Sequence, residues 1–173
     1  MTDDHAPIVA ALALIRPGAS YALRGPALEW LDDEQSEPTP AEIAVARLDV
    51  TRRARIGEAW AEAERRCEAG SVTVTTSAGM HAYGTDRATQ DNIMRALAGV
   101  LAGLTPDPRP WTPKGGSSAV MLTHADIKLV AGAIGAAYDA HVQAYLGHKA
   151  AILELADAGA IAAYDLSSGW PNP

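Results

Sequence analysis

The chain has 173 residues, 48% of them apolar and none of them Phe, which suffices for one modest core or for a small domain beside a larger one. With 21 acids against 14 bases it carries a net charge of −7 and a pI of about 5.1, which argues against a nucleic-acid-binding footprint, since that needs a clustered basic surface. Cys67 stands alone, which excludes an intrachain disulfide and a cysteine-rich metal motif, and no apolar run approaches the ~18 residues of a membrane span.

The acid is unevenly spread. Residues 1–39 hold seven acids and two bases, whereas residues 40–69 hold six of each. The start, Met1-Thr2-Asp3-Asp4-His5, is acidic where a secretory signal would be basic, so synthesis in a bacterial cytoplasm is expected. Residues 6–15 read as a short apolar helix, broken by Arg16-Pro17-Gly18. Ser20–Arg24 and Ala27–Leu31, separated by Gly25-Pro26, read as a small hairpin, and Asp32–Pro38 as an acidic linker.

A long helix is expected next. Thr39-Pro40-Ala41-Glu42 supplies a capping Thr, a Pro at the first helical position and a Glu three residues beyond the cap. Helix formers continue to Gly70, a length of roughly 45 Å at 1.5 Å per residue. Its larger apolar positions are Ile43, Val45, Leu48, Val50, Ile56 and Trp60, with Cys67 near the end. Ser71–Thr76 is almost wholly β-branched, and Ala78-Gly79 turns it back into Met80–Tyr83 as a second hairpin. Thr85 is expected to cap a helix whose Ile93, Leu97, Val100, Leu101 and Leu104 share a face, ended by Pro106, Pro108 and Pro110. Trp111–Thr112 and Ser118–Leu122 flank Lys114-Gly115-Gly116 as a third hairpin.

Thr123-His124-Ala125-Asp126 opens the most regular helix of the chain. Ile127, Ile134, His141 and His148 recur every seven residues, accompanied by Ala131, Tyr138, Tyr145 and Ile152. The spacing fits a coiled-coil stripe, but a plain amphipathic helix packed on the β-elements is the favoured reading. A short apolar helix at Ala158–Tyr164 and an irregular tail ending Gly169-Trp170-Pro171 close the chain. The expected fold is therefore α+β: mostly helical with small antiparallel hairpins, arranged as an acidic module and linker (1–38), a connecting helix (39–70) and a C-terminal domain (71–173).

Chemistry is hard to find in this pattern. Lys114-Gly115-Gly116 lacks the spacing of a phosphate loop, and Ser117-Ser118 sits in no nucleophile elbow. Cys67 follows Arg65 and Arg66, which would lower a thiol pKa, but a packed or surface thiol fits its place late in a helix better. His141 and His148 lie about 10.5 Å apart along a helix, too far to share an ion. Asp32-Asp33-Glu34 is a solvated charge run rather than a catalytic pair. No catalytic residue, cofactor or metal ligand is assigned. Trp30 and Trp170 lie at the ends of irregular modules, where an indole serves either as a local plug, the favoured reading, or as an anchor. Trp30, Leu31 and Trp170 are the candidate partner-binding residues.

Two stretches carry a resemblance. Ile15-Arg16-Pro17-Gly18-Ala19, Leu28-Glu29-Trp30-Leu31, Gln35 and Pro38-Thr39-Pro40-Ala41-Glu42 together resemble a short N-terminal module of phage and prophage tail proteins. Arg52-Arg53, the Ser71–Tyr83 hairpin, Thr85-Asp86-Arg87 with Gln90, the Trp111 strand, the helix from Thr123 and Tyr164-Asp165-Leu166…Gly169-Trp170-Pro171 resemble an uncharacterised domain frequent beside tail-fibre genes. The layout is also similar to tail-fibre assembly chaperones. The resemblance implies an accessory protein of a tailed bacteriophage: an adaptor or assembly factor on the tail fibre or baseplate, located in the virion tail and without catalysis. It also admits an integral fibre subunit that oligomerises with copies of itself through its helices. A host-envelope hydrolase is the remote third reading. No nucleic-acid or membrane partner is expected.

Overall fold

The computed structural model describes residues 6–24 and 27–171; the acidic start at Met1–His5 and Gly25-Pro26, expected between the strands of the first hairpin, lie outside the described residues. The fold is α+β as expected, 56% helical, with three two-stranded antiparallel sheets. In chain order the elements are α1 (Ala6–Ile15), β1 (Tyr21–Arg24), β2 (Ala27–Trp30), α2 (Pro40–Ala69), β3 (Ser71–Thr76), β4 (Gly79–Gly84), α3 (Arg87–Leu101), β5 (Arg109–Trp111), β6 (Val120–Leu122), α4 (His124–Glu154) and α5 (Ala158–Ala163). The chain divides into two compact units: residues 1–58 with 149–165, and residues 59–148 with 166–173. These boundaries differ from a division at 38 and 70 because α2 and α4 each contribute residues to both units.

In the first unit, Gly18 adopts φ +80° in the turn after α1, a conformation that its missing Cβ allows. β1 and β2 pair from Tyr21 opposite Trp30 to Arg24 opposite Ala27. The capping box that opens α2 is present: the Thr39 amide donates to Glu42 Oε2 at 2.7 Å, and the Glu42 amide donates to Thr39 Oγ1 at 3.2 Å. Arg16 joins it through Glu42 Oε1 at 3.2 Å and donates to the Ser36 carbonyl at 3.0 Å. Leu12, Ile152 and Ile161 are fully buried here.

The second unit holds the larger core, built from Val74, Tyr83, Ile93, Val100, Leu122, Ile127, Val130 and Ile134 with Ala96 and Ala131. β3 and β4 pair from Ser71 opposite Gly84 to Thr76 opposite Gly79. α4 packs on this core through Ile127, Ala131 and Ile134, and His141 and His148 further along the stripe are buried as well, so the heptad spacing records intramolecular packing. Asp126 joins two elements. Its carboxylate caps α4 by accepting from the Thr123 amide at 2.9 Å and hydroxyl at 2.7 Å, and it also accepts from the Ser77 amide at 2.8 Å in the β3–β4 turn.

Two expectations need correction. Thr85 does not cap α3: Asp86 does, accepting from the Thr89 amide at 2.9 Å, while the Thr85 hydroxyl donates to the Cys67 carbonyl at 2.7 Å near the end of α2. Leu101 and Leu104 do not join the buried face; they are 71% and 81% exposed, because α3 stops at Leu101 and Gly103 turns the chain with φ +70°. The buried face of α3 is instead Ile93, Ala96 and Val100.

Candidate functional site

Trp30 and Leu31 belong to the first unit and Trp170 to the second. The Trp30 indole is half-buried, stacks on Tyr21 with centroids 6.4 Å apart, and donates to the Gln35 carbonyl at 2.9 Å. Gln35 is in turn held by the Asp32 carboxylate, which accepts its amide at 2.7 Å. Amides of Ser20 and Gln35 thereby hold the Asp32 carboxyl below its usual range. Trp30 thus plugs the small hairpin module, and Leu31 beside it is 54% exposed.

Trp170 is also engaged within its own unit. Its ring lies 4.6 Å from that of His148, the Arg66 guanidinium sits 5.5 Å from its centroid, and its indole N–H donates to the Leu166 carbonyl at 2.8 Å. His141 is buried on the same helix as His148, and burial, followed by the charge of Arg66, pushes its pKa down. The thiol of Cys67 is buried and pushed up, by burial first and then by Glu68 and Glu64, which is the opposite of an activated nucleophile. Arg65 and then Arg66, both bonded to Glu62, overcome its burial and hold its carboxyl down at about 2.

The residues behind the tail-protein resemblance turn out to be fasteners. The Gln90 side chain donates to the Thr85 carbonyl at 2.7 Å, and the Arg87 amide donates to Glu68 Oε1 at 3.1 Å. Arg52 donates to the Leu155 carbonyl at 2.7 Å, just past the end of α4, and Arg55 donates to the Tyr164 carbonyl at the end of α5. The two arginine contacts satisfy carbonyls at helix C-terminal ends that have no partner within the helix, and the Arg87 contact satisfies a free amide at the start of α3.

Two kinds of accessible surface remain. In the first unit, Val45 is 65% exposed and lines both an apolar groove of about 440 Å³, with Leu14, Ile15 and Ala46, and another of about 610 Å³, with Pro7, Ala44, Leu48 and Ala156. In the second unit, a polar groove of about 760 Å³ is lined by Asp86, Thr89, Asn92 and Arg95 from α3 and its cap, and by Arg109, Trp111 and Lys114 from β5 and the loop after it. Arg95 donates to Asn92 Oδ1 at 3.0 Å, and the Arg109 guanidinium lies 5.9 Å from the Trp111 ring centroid. Lys114 donates to the Ala69 and Gly70 carbonyls at 2.7 and 2.6 Å. The Thr89 hydroxyl and amide, helped by Lys114, hold the Asp86 carboxyl below its usual range. The sequence reading missed this groove: its residues are scattered over α3, β5 and a loop with no fixed spacing, and only folding assembles them.

Among the described residues, no group of three or more His, Cys, Asp or Glu side chains could hold a metal ion, and no helix is long and apolar enough to cross a membrane. These features define a helix-rich α+β protein whose accessible surfaces are grooves. The chain belongs to the family described as a domain of unknown function, DUF4376, whose model matches residues 50–168. No curated protein and no solved structure matches it.

Proposed function

We propose that the chain is an accessory protein of a bacteriophage tail, an adaptor or assembly factor that binds a tail-fibre or baseplate protein without chemistry of its own. The observation that carries this reading is the exposed Val45 ridge between two apolar grooves in the first unit. Contiguous exposed apolar surface of this kind marks protein interaction sites. It lies in the part of the chain whose Pro-Gly-Ala turn, Glu-Trp-Leu-Asp segment and Thr39–Glu42 helix start resemble phage tail modules. The occupant expected there is an apolar segment of the fibre protein.

Co-expression with a tail-fibre protein encoded in the same genome tests the proposal. The two proteins should co-purify, and Val45→Asp should abolish co-purification while leaving the melting temperature of the isolated chain within about 2 °C, as exposed substitutions usually do. Failure of the wild-type chain to co-purify, together with normal fibre assembly in its absence, would sink the reading.

A second reading is favoured by Leu129, Leu146 and Leu153, which stay exposed along α4: a structural fibre subunit that self-associates through this helix. A stable trimer of the isolated protein in sedimentation supports it, and a monomer supports the adaptor.

A further inference from the structure

We propose that the polar groove of the second unit binds a saccharide that carries a carboxylate. The first part of the argument is charge. In a chain of net charge −7, this groove gathers three cations, Arg95, Arg109 and Lys114, around one acid, Asp86. Lys114 is occupied by the end of α2 and by its attraction to Asp86. Arg95 donates to the Asp91 carbonyl and to Asn92 Oδ1, and Arg109 lies over the Trp111 ring, but neither has a carboxylate partner among the described residues, and both line one cavity of about 760 Å³. Planar guanidinium groups match carboxylate geometry through paired N–H donors.

The second part is the mixture of polar groups. An inorganic anion would use only the cations. Here the Asn92 amide, whose Oδ1 accepts from Arg95, keeps its N–H donors, and the Asp86 carboxylate accepts from Thr89 through one bond on each oxygen, so acceptor sites remain on Asp86 that suit an N–H or O–H donor. The half-buried Trp111 adds an apolar wall that also packs on the core, so the groove is held in shape before any ligand enters. A ring rich in hydroxyl groups and bearing one carboxylate supplies all three complements together: donors for Asp86, an anion for the two arginines and a C–H face for the indole. The proposal concerns the second unit alone and stands whether or not the first unit docks on a fibre.

The test is calorimetric titration of the full chain with a galacturonate trisaccharide, its methyl ester and a pentaglutamate peptide. The acid sugar should bind, with the ester at least tenfold weaker. Arg95→Gln, on the exposed surface of α3, and Arg109→Gln should each weaken the acid sugar at least tenfold; Arg95→Gln keeps the test valid should the strand variant misfold. Lack of binding by the acid sugar, equal affinity for its ester, or pentaglutamate binding as tightly as the sugar would each overturn the proposal, the last by reducing the groove to a general anion patch.

Discussion

Asp126 shows how much one buried side chain holds together. Burial disfavours its charge, yet hydrogen bonds from the Ser77 hydroxyl and amide and from the Thr123 hydroxyl and amide outweigh that cost and keep its carboxyl well below the usual range. Hydrogen bonds to an ionised group are the strong ones. Asp126→Asn should therefore lower unfolding stability by about 2 kcal/mol, read as a reduced urea midpoint with an unchanged slope. Gly70 is a second such position. A Cβ there would lie 2.7 Å from Thr85 Oγ1 and 2.9 Å from the Arg66 carbonyl, so Gly70→Ala should cost roughly 1–3 kcal/mol by overpacking. A wild-type melting temperature in Gly70→Ala would contradict the tight turn between α2 and β3.

The elements are held mainly at their ends. Thr85 and Lys114 take carbonyls at the end of α2, Asp86 caps α3, and Arg52 takes the Leu155 carbonyl after α4. Arg52→Met should therefore fray the last turn of α4, with faster amide exchange at residues 150–155 and little change at residues 124–134; uniform acceleration along α4 would refute the capping role. Much of this framework is legible from sequence, because the Thr39–Glu42 and Thr123–Asp126 boxes and the β-branched run at Ser71–Thr76 are local signals. What escapes is non-local. The buried positions of α2 are Ala46, Ala59, Ala63 and Cys67, whereas the bulkier Val45 is exposed, and alanine carries too little hydrophobic contrast to reveal the inward face. Thr85 and Asp86 are both good caps in sequence, and only the fold decides which helix each one serves. The groove residues carry no spacing at all, and the motif that suggested a tail protein encodes fastening rather than a site.

Across the whole molecule, two kinds of titration set the acid limb of stability. Glu62, with its carboxyl at about 2 in the fold, contributes stability that is complete above about pH 4.5 and is lost as the pH falls towards 2. His141 acts at higher pH. Its folded pKa is depressed below the ordinary 6.5, so the unfolded chain binds more protons and stability falls as the pH drops below about 6.5. Melting temperatures between pH 7.5 and 5 should decline in the wild type and decline less in His141→Gln; identical slopes would show that His141 is not held neutral by burial. The proposed functions, in contrast, rest on surfaces: an apolar ridge in one unit and a polar groove in the other. Hydrogen–deuterium exchange of the full chain, alone and with a tail-fibre protein encoded in the same genome, tests the docking claim most directly. Protection should concentrate on α1, Leu31 and residues 41–49 around Val45. Exchange unchanged there in the presence of the fibre protein would contradict the account.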